Sequence, residues 1–155
     1  MIRLNLLNVG VVEDTEAILL VLQAPEQKRL LVIETGPLEG EAVALEAEGI
    51  RAERPLTQDL FYEALERLGA TVVEVQIYDF RDETFFARIL LNRAENDTPV
   101  ELDARPSDAI ALALRARCPI YVSDNVLAEV GIPERRSGRF AELFTDEPLR
   151  GRVVH

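Results

Sequence analysis

The chain has 155 residues, 48% of them apolar, and a formal charge of −11 from 17 basic and 28 acidic side chains. That length and apolar content fit one domain with its own core and exclude a disordered chain. The charge disfavours nonspecific nucleic-acid binding through a broad basic surface and leaves only a local basic cleft or a metal-bridged contact for such a partner. No apolar run approaches the ~20 residues that span a bilayer. The opening residues, MIRLNLLNVGVVED, lack a small-residue cleavage site after a basic start. A cytoplasmic protein without membrane association is expected. Cys118 has no partner for an internal disulfide, and one cysteine with one histidine, His155, cannot make a Cys/His zinc site. Any metal would rest on carboxylates.

In chain order, apolar alternation predicts strands over residues 3–12, 17–23 and 29–35, linked by the polar turns EDTE and PEQK into a meander. Gly36-Pro37 breaks the pattern, and residues 39–48 have helical Ala/Leu/Glu content closed by Gly49, a C-cap residue. Thr57 is the expected cap of a helix over residues 58–68, which Gly69 ends. Strands follow at 71–80, 85–91 and 100–104, then a helix opened by Pro106, a strand at 119–123 and a short helix at 125–130. From residue 132 a polar extension begins, with the basic break RRSGR at 135–139 before a short helix at 140–144. That break is either a phosphate contact or a solvated loop. The domain is therefore expected at 1–131 and the extension at 132–155.

The order strand, strand, strand, helix occurs twice, and residues 41–45 echo residues 108–112 at an offset of 67 or 68. The expected fold class is α+β, two similar halves of possible duplicate origin, with mixed or antiparallel sheets packed on core helices. The helix after Pro106 carries A-I-A-L-A-L from Ala109 to Leu114, apolar on every face, so it must be covered on all sides. Ser107 is the expected cap at its start, and Asp108 sits at the positive end of its dipole.

Residues 103–127, DARPSDAIALALRARCPIYVSDNVL, resemble the bifunctional nuclease domain family of bacteria and plants. The resemblance extends to GPLEGEAVAL at 36–45, RPLTQDL at 54–60 and YDFRDETFFARI at 78–89. It implies an α+β, often oligomeric domain and nuclease activity on DNA and RNA. Members of the family commonly carry a histidine in the segment that here reads PLTQD, so Gln58 stands where a proton-exchanging group is expected. Glutamine cannot exchange a proton near neutral pH. Either the chain is weak or inactive in catalysis, or the position serves only to start a helix.

Phosphodiester cleavage needs an activated water and neutralisation of charge at phosphorus, which carboxylate-bound Mg²⁺ or Mn²⁺ can supply, with an arginine assisting. Within the family segments the candidates are Asp103, Arg105 and Asp108 as catalytic groups, and Glu41, Asp59 and Asp79 as metal ligands. Asp82 is better explained by a hairpin turn, and Glu41, Asp59 and Asp108 by acidic preference in first helical turns. No organic cofactor is expected, since no glycine-rich phosphate loop or dinucleotide fingerprint is present. The alternative to a nuclease is a non-enzymatic oligomeric binding or scaffold domain with a structural Asp/Arg cluster. In that case Arg105→Ala breaks a buried charge pair at a cost of about 3 to 5 kcal/mol. A homodimer is expected from uncovered strand edges and from Phe61, Tyr62, Phe85 and Phe86.

Overall fold

Apolar residues, alternating along much of β1 (Ile2–Val11) and continuous through most of β2 (Ile18–Ala24) and β3 (Arg29–Thr35), make these strands an antiparallel meander in the computed structural model, which describes residues 1–134. α1 (Pro37–Glu48) begins earlier than the composition suggested, because Pro37 occupies its first position after an extended Gly36. Gly49, at φ +67°, ends it in the left-handed conformation.

α2 (Thr57–Arg67) is capped differently from expectation. Leu56 is the residue before the helix, Thr57 is already helical, and the Asp59 carboxylate accepts the Leu56 N–H at 2.9 Å. β4 (Ala70–Arg81), β5 (Thr84–Arg93) and β6 (Asn96–Ala104) form the second meander. Asp82 and Glu83, both at positive φ, make the two-residue turn between β4 and β5.

α3 (Pro106–Ala116) is preceded by Arg105 at the cap position, with no side-chain cap. Ser107 is therefore inside the first turn and buried, which corrects its expected capping role. Every residue from Ala109 to Ala113 is at most 2% exposed, as the all-apolar pattern required. β7 (Ile120–Val122) follows, then α4 (Asp124–Val130), whose cap Ser123 accepts the Val126 N–H at 3.3 Å, and β8 (Ile132–Pro133).

The strands form one mixed sheet in the order β6-β5-β4-β7-β1-β2-β3-β8. β7 joins the two meanders, parallel to β4 and antiparallel to β1. The fold class is α+β, as expected. Strand, strand, strand, helix does recur, but α1 and α3 start 69 positions apart, so the offset of 67 or 68 does not align their first turns. At 69, Pro37 and Glu39 match Pro106 and Asp108.

α1 and α3 pack against each other and on the sheet, over Leu20, Leu22, Val43, Val75, Ile77, Ala87, Ile110 and Leu112. Gly40 permits that approach: a Cβ there would lie 2.4 Å from Ile18 Cβ and 2.7 Å from Thr35 Oγ1. β8 pairs with the edge of β3, and Gln23 Nε2 donates to Glu134 Oε1 at 2.6 Å, so residues 132–134 continue the fold instead of opening a polar extension. The RRSGR segment, the helix expected at 140–144 and His155 lie outside the described residues.

Candidate functional site

Three helices start beside one another. Leu38 and Glu39 of α1, Thr57 and Gln58 of α2, and Arg105 and Asp108 at the start of α3 line an open cleft of about 760 Å³. Its floor is apolar, made by Ala42, Ile89, Leu102, Ala104, Ala111 and Leu112, and Phe61 stands at its side. A second hollow of about 280 Å³ adjoins it, lined by Gly36, Thr35 and the β4–β5 turn residues Glu83 and Thr84. Glu39 and Arg105 border both spaces and so form the ridge between them.

On that ridge Arg105 is held from two sides. Its Nε donates to Asp108 Oδ2 at 2.7 Å and its Nη2 to Asp108 Oδ1 at 3.2 Å, a two-point pair across one helical turn. Its Nη1 donates to Glu39 Oε1 at 2.9 Å, tying α3 to α1. The hydrogen bond and charge of Asp108, with Glu39 adding to them, raise the guanidinium pKa above its already high value, so Arg105 is permanently charged. Among the described residues three of its five N–H groups are engaged, leaving one on Nη1 and one on Nη2 for a ligand. With the Arg105 side chain 64% exposed, the cluster is a surface one, not the buried pair of the scaffold alternative.

Glu39 is the residue that sequence reasoning passed over. It is third in α1, as Asp108 is third in α3, and the parallel between Gly36-Pro37-Leu38-Glu39 and Arg105-Pro106-Ser107-Asp108 was the available signal. Its carboxylate folds over Gly36, where an added Cβ would sit 2.5 Å from Oε2, so the glycine makes room for it. Oε2 is the one Glu39 oxygen not accepting from Arg105.

Of the residues singled out in the sequence, Asp103, Arg105 and Asp108 border the cleft together with Gln58. Asp103 lies between Leu102 and Ala104, which pack on the core, so strand alternation directs its side chain to the other face of the sheet and leaves only its backbone to border the cleft. Its cross-strand neighbour there is Arg88. The three expected metal ligands are dispersed. Glu41 is one turn beyond the start of α1, not in its first turn. Asp59 accepts the Leu56 N–H, and its Oδ1 lies 3.3 Å from Arg115 Nη1. That contact is an ion pair without hydrogen-bond alignment, since Arg115 Nη1 is buried with no hydrogen-bond partner among the described residues. The Arg115 guanidinium also stands 5.4 Å from the centre of the Tyr62 ring, so Asp59 and Arg115 together pin the start of α2 to the end of α3. Asp79 pairs with Arg81 at 2.8 Å and accepts the Phe80 N–H at 2.8 Å. Among the described residues no three Asp, Glu, His or Cys side chains are grouped to hold a metal ion, so the proposed ligand set does not fit one site. Asp82 lies in its expected hairpin turn.

Two other groups are perturbed. Burial, with the hydrogen bond that the hydroxyl donates to Glu66 next, raises the Tyr62 pKa. Burial pushes the Cys118 thiol up to about 11, which keeps it protonated and unreactive as a nucleophile near neutral pH.

Comparison with known proteins bears on this cleft. An uncharacterized protein of Mycobacterium tuberculosis is 40% identical over 113 residues, which are 73% of this chain and 66% of that protein. Bifunctional nuclease 1 of Arabidopsis thaliana is 30% identical over 107 residues, 63% of this chain and 33% of its own length. Bifunctional nuclease 1 of Oryza sativa subsp. japonica is 32% identical over 84 residues, 54% of this chain and 25% of its own. The chain thus spans less than two thirds of these relatives. No helix among the described residues is long and apolar enough to cross a membrane. Residues 20–135 match the family described as "Bifunctional nuclease domain", a span that takes in α1, α2, α3 and every residue of the cleft, and the chain belongs to that family.

Proposed function

We propose that this domain hydrolyses phosphodiester bonds of DNA or RNA at the ridge formed by Glu39, Arg105 and Asp108. The observation that carries the reading is the arrangement of Arg105, fixed by two carboxylates at the border of an open cleft, with two N–H donors not used by Glu39 or Asp108. A fixed, permanently charged fork suits a phosphoryl group, whose developing negative charge it would stabilise. The N-termini of α1, α2 and α3 beside it add positive dipole ends, which offset the acidic side chains around the cleft.

In this reading Arg105 donates to the non-bridging phosphoryl oxygens. The Oε2 of Glu39 accepts a proton from the attacking water as the new P–O bond forms. The ester P–O bond then breaks, and the leaving oxygen takes a proton from solvent. Asp108 serves as the anchor that orients Arg105. No step is assigned to a metal ion, because the expected ligands are dispersed; dependence on Mg²⁺ or Mn²⁺ is a separate property to measure.

The test is cleavage of fluorogenic DNA and RNA strands by the purified protein, chelated and then supplied with Mg²⁺ or Mn²⁺. Glu39→Gln should reduce the rate about 100-fold or more, the scale on which general acid–base groups act. Asp103→Ala, on the other face of β6, should leave most of it. Activity that separates from the protein on repurification, or a fully active Glu39→Gln variant, contradicts the proposal.

A further inference from the structure

We infer that the cleft takes an unstacked nucleobase of a single strand, with its phosphate on Arg105, so that single-stranded nucleic acid is the preferred ligand. The inference rests on the nuclease reading above for the class of ligand, and deepens it. Phosphate cannot occupy the floor, because Ala42, Leu102, Ala104, Ala111 and Leu112 offer it no donor. A flat, weakly polar ring can. Phe61, 39% exposed at the side of the cleft, presents a ring surface that the core does not use, and Leu38, 78% exposed, stands on α1 as a second apolar rim residue. Base stacking on such a side chain is tolerant of sequence.

Charge points the same way. Among the described residues Arg105 is the single cationic side chain lining the cleft, in a chain of net charge −11. A duplex bound along its backbone would need many cationic contacts to offset that repulsion. It would also have to extrude a base to reach the floor. A single strand needs one phosphate contact and exposes its bases already. Arg105, exposed, lines the same cleft as the apolar residues, so one nucleotide can satisfy both. Gln58, half-buried on the same wall, supplies amide donors and an acceptor to a base edge without selecting one base by charge.

The experiment is fluorescence anisotropy with labelled oligodeoxythymidylate of about 12 nucleotides, within the usual site size for single-strand binders, against a duplex of the same length. Both carry phosphorothioate linkages to suppress cleavage. The single strand should bind at least about tenfold more tightly than the duplex. Its affinity should fall with salt with a logarithmic slope near −0.7, the value for one phosphate contact on a single strand. Phe61→Ala should weaken binding by roughly 5- to 100-fold, Phe61→Tyr should restore it, and Leu68→Ala, exposed outside the cleft, should not change it. Equal binding of duplex, a slope several times steeper, an unaffected Phe61→Ala variant or no binding at all overturns the inference. Cleavage of the unmodified strand is read separately. Its absence alongside the expected binding pattern removes the hydrolytic reading and leaves the single-strand site standing.

Discussion

Arg105 concentrates the chemistry of the site because three of its N–H groups are spent on holding it and two are left to act. Lysine at this position has no planar fork, so Arg105→Lys keeps the charge and loses the geometry. Gln58 marks a complementary gap. It borders the same cleft as Arg105, in the segment where the family resemblance leads one to expect a histidine. Gln58→His should raise the cleavage rate at least about tenfold and give the pH–rate profile an inflection near 6.5; a pH profile unchanged from the parent protein assigns the position to helix geometry alone. Cys118 supplies a pH effect of known sign. Its pKa is about 11 in the folded chain against 9.0 for the free group, so between those values the folded state holds the extra proton. Stability from this thiol is therefore intact below pH 9 and is lost as pH rises toward 11. Urea titrations of the parent and Cys118→Ala should show the steeper alkaline loss only in the parent.

Among the elements, α1 and α3 were legible in part. The all-apolar run at Ala109 to Leu114 announced a buried helix; Ala109 to Ala113 are buried, having no polar face to offer solvent, while Leu114 is half-buried. The starts of the helices were less legible. Ser107 and Thr57 have good capping chemistry, but Pro106 and Leu56 with Asp59 set the first turn in each case, and the hydroxyls fall one residue or more inside. Because α1 starts at Pro37, Glu39 and not Glu41 occupies the first turn, and the cleft gained a carboxylate that spacing alone had put elsewhere. Tight packing of α1 on β2 depends on Gly40. Gly40→Ala should lower unfolding stability by about 1 to 3 kcal/mol, as overpacking does, because its Cβ meets Ile18 and Thr35 inside contact distance. Chemical denaturation measures this directly; a variant as stable as the parent would show that α1 can move away from the sheet freely.

At the scale of the molecule, the meanders and their two helices were foreseen, whereas their joining through β7 was not. Three residues, Ile120 to Val122, bridge β4 and β1, and nothing in so short an apolar run specifies which neighbours it takes. The convergence of three helix starts on one cleft was equally invisible, since Glu39, Gln58 and Arg105 are brought together only by the packing of α1 and α2 against α3. Carboxylates chosen for family position or residue type, Glu41, Asp59 and Asp79, turned out to belong to three different elements, two of them engaged with local arginines. Charge at this scale limits the ligand as well: a chain of −11 with one cationic group at its cleft among the described residues favours few phosphate contacts and strong dependence on the base-facing floor.

The central claim is that Arg105 acts on a phosphodiester and does not serve mainly to hold the fold. Arg105→Ala measured for both thermal unfolding and nucleic-acid cleavage separates the two roles. The exposed ion pairs predict a stability loss of about 1 kcal/mol or less, with cleavage reduced about 100-fold or more, as when a donor to a developing negative charge is removed. A loss of about 3 to 5 kcal/mol, the cost of a broken buried pair, or cleavage equal to that of the parent protein, would contradict the account.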